Sequence, residues 1–385
     1  MTKLTIIVPL FAAALISSLH AASPEITAVS KQMEKFVESQ EISGAVTLVA
    51  DREKILHLSA VGLSEISNKT PMETDSVFWI ASMTKPITAT AVMMMQEEGK
   101  LSVDDPVSKY LPEFKNLKDA EGNEVTITIK QCLMHTSGLS DLTTEERKDI
   151  LTLQDLMPLI VAKPTSFPPG SKWRYCQTGL NTAGRIVEVV SGKALPDFFE
   201  ERLFNPLGMK DTSFYPGKDQ ARRLTPPYKR APAGDLEKTN NHYLDVSLPT
   251  PQNLFPLANG GLFSTATDYA KFAQMILRGG EFDGKRYLKE ESVRQMTTVQ
   301  TGDLAAGFIP GSAWGIGWSI VREPQGVSAA LSSGSFGHGG AFGTQAWIDP
   351  KKDRIYLLMI QRADIGNSDG SEMRRTFQNA AAPQP

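Results

Sequence analysis

Ser82-Met83-Thr84-Lys85 lies where an extended apolar segment, residues 76–81, changes into a helix rich in Met and Ala, residues 87–96. Residues i and i+3 share one face of a helix, so the amine of Lys85 can reach the hydroxyl of Ser82. A serine hydroxyl needs an adjacent base to become a nucleophile, and a lysine is such a base when burial lowers its pKa. The string therefore predicts a self-contained nucleophile at a helix N-terminus, where N–H groups favour negative charge. The alternative is a surface lysine one turn after a helix-capping serine.

Tyr175 is a second candidate for chemistry. It lies in a loop that contains Gly and Pro, residues 169–177, just ahead of an amphipathic helix predicted over residues 183–190. If a nearby lysine lowers the pKa of this tyrosine, its phenolate can accept a proton and later return it. The alternative is an aromatic packing residue.

A glycine-rich stretch, residues 337–343, precedes a predicted strand, residues 345–348. Glycines let the backbone approach a ligand closely. The edge of that strand can present the Ala341 N–H to a substrate carbonyl, and the Ser82 N–H would complete an oxyanion hole. His338, within this stretch, could orient a substrate or share a proton. The alternative is that residues 337–343 are only the glycine-rich turn of a hairpin.

These features together resemble the serine β-lactamase and penicillin-binding-protein superfamily, in particular its class C-like and family VIII carboxylesterase members. The resemblance covers nearly all of the chain after residue 21, and its motifs occur in the family's order. They are S-x-x-K at Ser82–Lys85, a loop like the family's at Asp104–Pro112, L-x-H-T-S-G-L at Leu133–Leu139, the Tyr of Y-x-N at Tyr175, G-G-L-x-S-T at Gly260–Thr265, and H-G-G in the K-T-G position at His338–Gly340.

Two departures from the family pattern bear on the substrate. Gln177 stands where β-lactamases and peptidases usually have Asn, and His338 stands where they have the Lys that engages a substrate carboxylate. The resemblance implies that Gln177, His338, Gly339 and Gly340 line the substrate cleft. The two departures leave acyl transfer intact but weaken the case for β-lactam or D-Ala-D-Ala recognition. His135 falls in a matched motif and is interpreted as a structural brace.

The order of predicted elements indicates an α/β chain of the α+β type, β-lactamase/transpeptidase-like. A mainly antiparallel sheet flanked by helices would come from residues of about 24–80 and 257–385, and a helical lobe would be inserted over about 86–256. The active site would lie at the seam between them. Residues 215–256 are rich in Pro, Asn, Lys and Arg, and are predicted to form a surface excursion that could overhang the site.

The composition is that of an ordinary globular protein. The 385 residues are 41% hydrophobic and 22% charged, with a net charge of −3, which gives no indication of a nucleic-acid partner. Residues 1–21 have the basic start, apolar stretch and small residues of a signal peptide, so we expect an exported, periplasmic or secreted protein with no membrane span after cleavage. An uncleaved membrane anchor is the alternative. The two cysteines, Cys132 and Cys176, are predicted to be separate thiols rather than a disulfide.

We therefore expect an exported serine hydrolase acting through an acyl-Ser82 intermediate, with Lys85 and Tyr175 sharing the acid–base work. A carboxylesterase on small acyl esters is the first choice. A D-amino-acid peptidase, a DD-carboxypeptidase or a weak β-lactamase acting on amides is the second, and a non-catalytic ligand-binding relative the third. No cofactor, metal or obligate protein partner is predicted: the five histidines are scattered, with His57 placed in a strand and His242 in an exposed loop.

Overall fold

The computed structural model describes residues 24–240 and 255–382. Its strands are β1 (Gly44–Ala50), β2 (Ile55–Glu65), β3 (Thr70–Pro71), β4 (Phe78–Trp79), β5 (Tyr228–Arg230), β6 (Leu236–Lys238), β7 (Phe263–Ser264), β8 (Glu281–Phe282), β9 (Lys285–Arg286), β10 (Ser312–Trp314), β11 (Ser319–Val321), β12 (Phe336–Gly339), β13 (Gln345–Asp349) and β14 (Arg354–Met359). Its α-helices are α1 (Pro24–Glu38), α2 (Thr84–Glu97), α3 (Ile129–Leu133), α4 (Thr144–Arg147), α5 (Leu153–Val161), α6 (Gln177–Ser191), α7 (Leu195–Phe199), α8 (Asn205–Leu207), α9 (Lys218–Arg222), α10 (Ala266–Leu277), α11 (Glu290–Thr297) and α12 (Glu372–Ala381).

Eight of these strands form one antiparallel sheet in the order β10-β11-β12-β13-β14-β1-β2-β3. The pairing of β1 with β14 joins the two ends of the chain, with Leu48 opposite Leu357. Neighbouring residues on a strand point to opposite faces of the sheet. Val49 accordingly packs with Met33 of α1 and Phe377 of α12 on one face, whereas Leu48 belongs to the larger core on the other. The predicted helix-flanked antiparallel sheet is confirmed.

Helix α2 lies at the centre of the larger core and packs against α6. Every residue from Thr84 to Met95 is buried, including Lys85. A helix that is buried all round has no need for one polar face, which explains why its sequence is apolar on more than one side. The nucleophile candidate therefore begins a rigid, fully enclosed helix.

Two expectations from the sequence need correction. Residues 315–321 have the apolar pattern of a single strand, but β10 and β11 form a hairpin whose turn contains Gly317, with φ of +76°. A Cβ at Gly317 would lie 2.5 Å from the Cβ of Ala89 in α2, so this turn packs tightly on the nucleophile helix. The glycine-rich stretch is also not wholly a turn, because Phe336–Gly339 forms strand β12, and Ala341 lies in the turn that follows it rather than at the edge of β13.

The predicted surface excursion is only partly described. Its residues 215–240 contain α9 and the β5–β6 hairpin. Tyr228 of β5 donates a hydrogen bond from its hydroxyl to Glu65 at the end of β2, so the hairpin is held at the sheet's edge. His242 and the remainder of the excursion to residue 254 lie outside the described residues, as does the predicted signal peptide, residues 1–21. None of the helices within the described ranges is long and apolar enough to cross a membrane.

Candidate active site

Ser82 lies in a single 3-10 turn, Ala81–Met83, which leads directly into α2. The residue before it, Ala81, has φ of +45°, a left-handed conformation that costs a non-glycine residue about 1 kcal/mol or more. Ala81 is held there by burial, with Gly260 packed closely against its backbone. No side chain caps either this turn or α2, so the alternative reading of Ser82 as a helix cap is wrong. The strained turn instead directs Ser82 into the cavity described below.

The amine of Lys85 is fully buried and has three hydrogen-bond partners. Its Nζ atom lies 2.9 Å from Ser82 Oγ, 2.8 Å from Gln177 Oε1 and 2.7 Å from the carbonyl oxygen of Asn259. Burial lowers the pKa of Lys85 to about 7, against an opposing effect of the nearby Asp141 carboxylate. A lysine in this setting can be an uncharged base near neutral pH, and the alternative of a surface lysine is wrong.

The partners of Lys85 fix which way its lone pair points. Gln177 Oε1 and the Asn259 carbonyl can only accept hydrogen bonds, so they take the two N–H groups of the neutral amine. Its lone pair then remains for the Ser82 hydroxyl. The Nδ2 atom of Asn259 donates to the same Gln177 Oε1 at 2.6 Å, which fixes the orientation of that amide. Asn259 directly precedes the G-G-L-x-S-T motif at Gly260–Thr265, but its contact with Lys85 was not predicted.

Tyr175 lies on the loop before α6, and its ring is close to the amine of Lys85, with 4.6 Å from Nζ to the ring centroid. The condition for Tyr175 to act as a phenolate base, a lowered pKa, is not met. Burial raises the pKa of Tyr175 well above its usual value, and a hydrogen bond with the Ser82 hydroxyl only partly offsets this. Tyr175 is therefore a neutral phenol, able to donate or relay a proton, while Lys85 is the better base.

Two residues hold the Tyr175 loop in place. His135 is buried, and its Nδ1 atom accepts a hydrogen bond of 3.1 Å from the backbone N–H of Cys176, as expected of a structural brace. Asp141, which sequence reasoning missed, accepts hydrogen bonds through Oδ1 from the backbone N–H groups of Gln177 and Thr178 at 2.8 and 3.0 Å. A carboxylate at a helix N-terminus also interacts favourably with the helix dipole. Together they fix Tyr175 and Gln177 relative to α2.

The glycine-rich strand β12 supplies the opposite wall. His338 is buried, and burial together with the charge of Lys85 lowers its pKa to about 3, so its imidazole is neutral. Gly340 has no room for a side chain, because a Cβ there would lie 2.0 Å from Thr344 Oγ1 and 2.7 Å from the carbonyl oxygen of Ile80. This close approach brings the turn that contains Ala341 to the segment that ends at Ser82.

These walls enclose a cavity of about 390 Å³. All the predicted site residues except the buried Lys85 line it. Its lining residues are Ser82, Tyr175, Gln177, Phe308, His338, Gly339, Gly340, Ala341, Gly366, Asn367, Ser368 and Asp369. Phe308 and the 366–369 segment were not predicted, and no local motif marks them. None of the described residues 215–240 lines the cavity, so that part of the excursion does not overhang it.

Both cysteines are buried free thiols, in agreement with the prediction. Burial raises the pKa of Cys176 to about 12, which leaves it a protonated, unreactive thiol. Within the described ranges, no group of three or more His, Cys, Asp or Glu side chains is placed to hold a metal ion.

Comparisons with known proteins agree with this geometry. The sequence profile of the Beta-lactamase family matches residues 29–380. Penicillin-binding protein 4 of Amycolatopsis lactamdurans is 32% identical over 347 residues, covering 86% of this chain and 87% of that protein. Esterase EstB of Burkholderia gladioli is 29% identical over 383 residues, covering 91% of this chain and 94% of that protein. Among solved structures, EstCE1, described as a hydrolase with promiscuous acyltransferase activity, superposes with a TM-score of 0.79 over 93% of this chain and 98% of its own, at 24% identity, which is evidence for the fold alone.

Proposed function

This chain belongs to the beta-lactamase family and is a serine hydrolase of the β-lactamase fold, and from that premise we propose that it is a carboxylesterase that hydrolyses small acyl esters through an acyl-Ser82 intermediate. The observation that carries the proposal is the 2.9 Å contact between Ser82 Oγ and the buried amine of Lys85. It pairs a nucleophile with a base whose pKa, about 7, suits proton transfer at neutral pH.

Acylation would proceed in two steps. The lone pair of Lys85 takes the Ser82 proton as Oγ attacks the ester carbonyl, and the carbonyl π-electrons move to oxygen. The resulting oxyanion accepts hydrogen bonds from the backbone N–H groups of Ser82 and Ala341. When the carbon–oxygen bond to the alcohol breaks, the leaving oxygen takes the proton of the neutral Tyr175 phenol, and the ammonium of Lys85 returns a proton to Tyr175.

Deacylation reverses the roles with water in place of the alcohol. The water oxygen attacks the acyl carbon and loses a proton to Lys85 through the Tyr175 hydroxyl. Collapse of the second tetrahedral intermediate breaks the bond to Oγ, and Ser82 regains its proton from Lys85. The substrate is released as an acid and an alcohol, and both residues return to their starting protonation states, so the chemistry needs no cofactor.

The site favours an ester over an amide or β-lactam for a specific reason. In the family pattern an Asn amide and a Lys ammonium hold the substrate's amide and carboxylate. Here Gln177 Oε1 is occupied by Lys85 and Asn259, at 2.8 and 2.6 Å, and the residue in the Lys position is the neutral His338. An ester has no N–H group that such an amide could bind. An ester therefore loses fewer binding contacts than an amide when Gln177 and His338 replace the family's Asn and Lys. The similarity to Esterase EstB supports the same choice.

The second candidate is a DD-peptidase or a weak β-lactamase. The similarity to Penicillin-binding protein 4 favours it, because that relative shares more identity with this chain than EstB does. A non-catalytic relative is disfavoured, since Ser82, Lys85 and Tyr175 are all present and in contact.

We also propose that the enzyme is exported by residues 1–21 and that its partner is a small-molecule substrate rather than nucleic acid or another protein.

A paired labelling and turnover experiment tests the proposal. A fluorophosphonate probe should form its adduct on the peptide that contains Ser82, and Ser82→Ala should abolish both the adduct and ester hydrolysis at an unchanged melting temperature. Ser67→Ala, a hydroxyl loss at an exposed site, is the matched control and should retain both. The same preparations are assayed with p-nitrophenyl butyrate, a chromogenic cephalosporin and a D-Ala-D-Ala peptide. An adduct on Cys176, or a cephalosporin kcat/KM above that of the butyrate ester, would overturn the proposal.

A further inference from the structure

We propose that Asp369 and His338 form an ammonium-binding subsite within the catalytic cavity, so that the enzyme prefers substrates that carry a protonated amine. The proposal rests on the esterase function proposed above and names its substrate class. His338 stands where the family pattern has the Lys that binds a substrate carboxylate. The proposed subsite would instead bind a positively charged group.

Asp369 is the first half of the subsite. It lies in the 3-10 turn Ser368–Gly370 and lines the same cavity as Ser82, yet its side chain is 5% exposed. None of the described residues meets hydrogen-bond geometry with its Oδ1 atom, although the Gln345 amide, which donates to the carbonyl oxygen of Ser368, lies close enough to lower the pKa of the carboxyl. A buried carboxylate oxygen without a donor is costly, and such an atom beside a ligand cavity indicates a donor that arrives with the ligand.

His338 is the second half. Its Nδ1 atom lies 2.7 Å from the carbonyl oxygen of Gly339, which can only accept, so Nδ1 carries the hydrogen. In a neutral imidazole the other nitrogen, Nε2, then bears a lone pair. This atom is also buried without a hydrogen-bond partner among the described residues. The cavity thus contains two buried acceptors that lack donors.

The backbone between them is shaped to admit the carboxylate. A Cβ at Gly339 would lie 2.0 Å from Asp369 Oδ1 and 2.5 Å from the side-chain nitrogen of Gln345. The glycine at this position therefore lets the Asp369 carboxylate lie directly against β12, next to His338. Any other residue there would push Asp369 away from the strand.

None of the Lys and Arg side chains in the described ranges forms a hydrogen bond with either acceptor. The cavity-lining residues include neither Lys nor Arg, and the amine of Lys85 is taken by Ser82, Gln177 and Asn259. Arg374 is the nearest candidate, but it is fully buried, donates to the backbone carbonyl oxygen of Asp369 at 2.6 Å, and lies over the Trp347 ring at 3.7 Å. It does not line the cavity.

The charge of Asp369 follows from these surroundings. Burial raises the pKa of its carboxyl, while the Arg374 guanidinium and the Gln345 amide lower it. An ammonium group that enters the cavity would favour the carboxylate form, and its N–H groups would satisfy both orphan acceptors. A substrate carboxylate at this position would face two lone-pair-bearing atoms, one of them on a carboxyl group, which is unfavourable.

Three matched methyl esters test this subsite. β-Alanine methyl ester, methyl butyrate and monomethyl succinate have acyl chains of equal reach that end in an ammonium, a methyl and a carboxylate group. A second set with two more methylene groups covers a longer reach. Each kcat/KM is divided by the rate of the same ester with hydroxide, to remove inherent reactivity. The wild-type enzyme should favour the ammonium over the carboxylate ester by about tenfold or more in one of the sets, the effect of one hydrogen bond to a charged group.

The isosteric variant Asp369→Asn should lower the ratio of kcat/KM for the ammonium ester to kcat/KM for the neutral ester about tenfold. Asp364→Asn, the same charge change at an exposed site in the preceding loop, should leave this ratio unchanged. Equal rates for ammonium and carboxylate esters, or a carboxylate preference, would overturn the subsite, as would an Asp369→Asn loss that is equal for all esters. If Asp369→Asn fails to fold, the wild-type series alone decides. Absence of both ester turnover and the Ser82 adduct would instead refute the proposed function.

Discussion

The Oε1 atom of Gln177 lies 2.8 Å from the Nζ atom of Lys85 and accepts its hydrogen bond. Ninety-two positions separate the two residues along the chain. The contact is possible because α6 packs against α2, while Asp141 holds the backbone N–H groups at the start of α6. It makes Gln177 a partner of the base as well as a residue of the cavity wall. The contact also ties the protonation of Lys85 to an amide that can be replaced isosterically.

Gln177→Glu should shift the activity profile toward higher pH. A carboxylate beside Lys85 favours the ammonium form, so the pKa of the lysine rises and more alkaline solution is needed to free the base. We expect the pH of half-maximal kcat/KM for p-nitrophenyl butyrate to rise by about one unit or more. Gln154→Glu, at an exposed site, is the charge-matched control and should leave the profile unchanged. A shift to lower pH would contradict the contact.

For the unmodified enzyme, kcat/KM for a neutral ester should rise with pH through about 7 and then level off. Burial lowers the pKa of Lys85 to about 7, and only its uncharged form can take the Ser82 proton. Activity is therefore lost as the pH falls below that value. Initial rates between mildly acidic and mildly alkaline pH, with enzyme stability checked at each point, measure this limb. A profile that is flat across that range would show that Lys85 is not the base.

Tyr175→Phe keeps the ring over Lys85 but removes the hydroxyl that relays protons. We expect kcat to fall roughly 100-fold with a smaller change in KM, and Lys85→Ala to be at least as damaging. The double variant should be hardly worse than the worse single variant, because the two residues act as one unit. Tyr110→Phe, which removes the hydroxyl of a half-buried tyrosine that does not line the cavity and donates to Asp105, is the control. Full additivity of the two losses, or near-normal turnover in Tyr175→Phe, would reduce Tyr175 to a packing residue.

Gly340→Ala should damage both stability and turnover. Its Cβ would lie 2.0 Å from Thr344 Oγ1 and 2.7 Å from the Ile80 carbonyl oxygen, so the turn that contains Ala341 must move away from Ser82. We expect a lower melting temperature and, because the oxyanion donor is displaced, a fall in kcat of about 100-fold or more. Gly217→Ala is the control, since the nearest atom to its Cβ would be 3.8 Å away. Unchanged turnover in Gly340→Ala would exclude Ala341 from the oxyanion hole.

Cys132 and Cys176 should both resist alkylation in the native protein. Burial raises the pKa of each thiol, so neither forms the reactive thiolate at mildly alkaline pH, and neither is accessible to reagent. Iodoacetamide should modify no cysteine before denaturation and both afterwards without a reducing agent. The count is read by intact-mass measurement. Failure to modify them after denaturation would indicate a disulfide.

The sequence by itself determined the parts of this protein that depend on near neighbours. Ser82 and Lys85 were predicted together because i and i+3 positions meet on any helix. Strand β13, Gln345–Asp349, was predicted closely, over residues 345–348, because a glycine-rich stretch precedes its apolar run. The Tyr175 loop and the glycines beside His338 could be quoted as motifs since each is contiguous.

The tertiary structure alone decided how these parts act on one another. Burial of α2 lowers the pKa of Lys85, and burial of Tyr175 raises its pKa although a neighbouring lysine could have lowered it. The cost of placing a charge away from water depends on the whole surrounding fold. Contacts between segments that are distant in sequence bring three further residues to the site: Asn259, Asp141 and Asp369. Only the tertiary structure likewise identifies Asp369 Oδ1 and His338 Nε2 as buried acceptors without a donor. Whether a polar atom has a hydrogen-bond partner depends on every group around it, and no local sequence pattern contains that information.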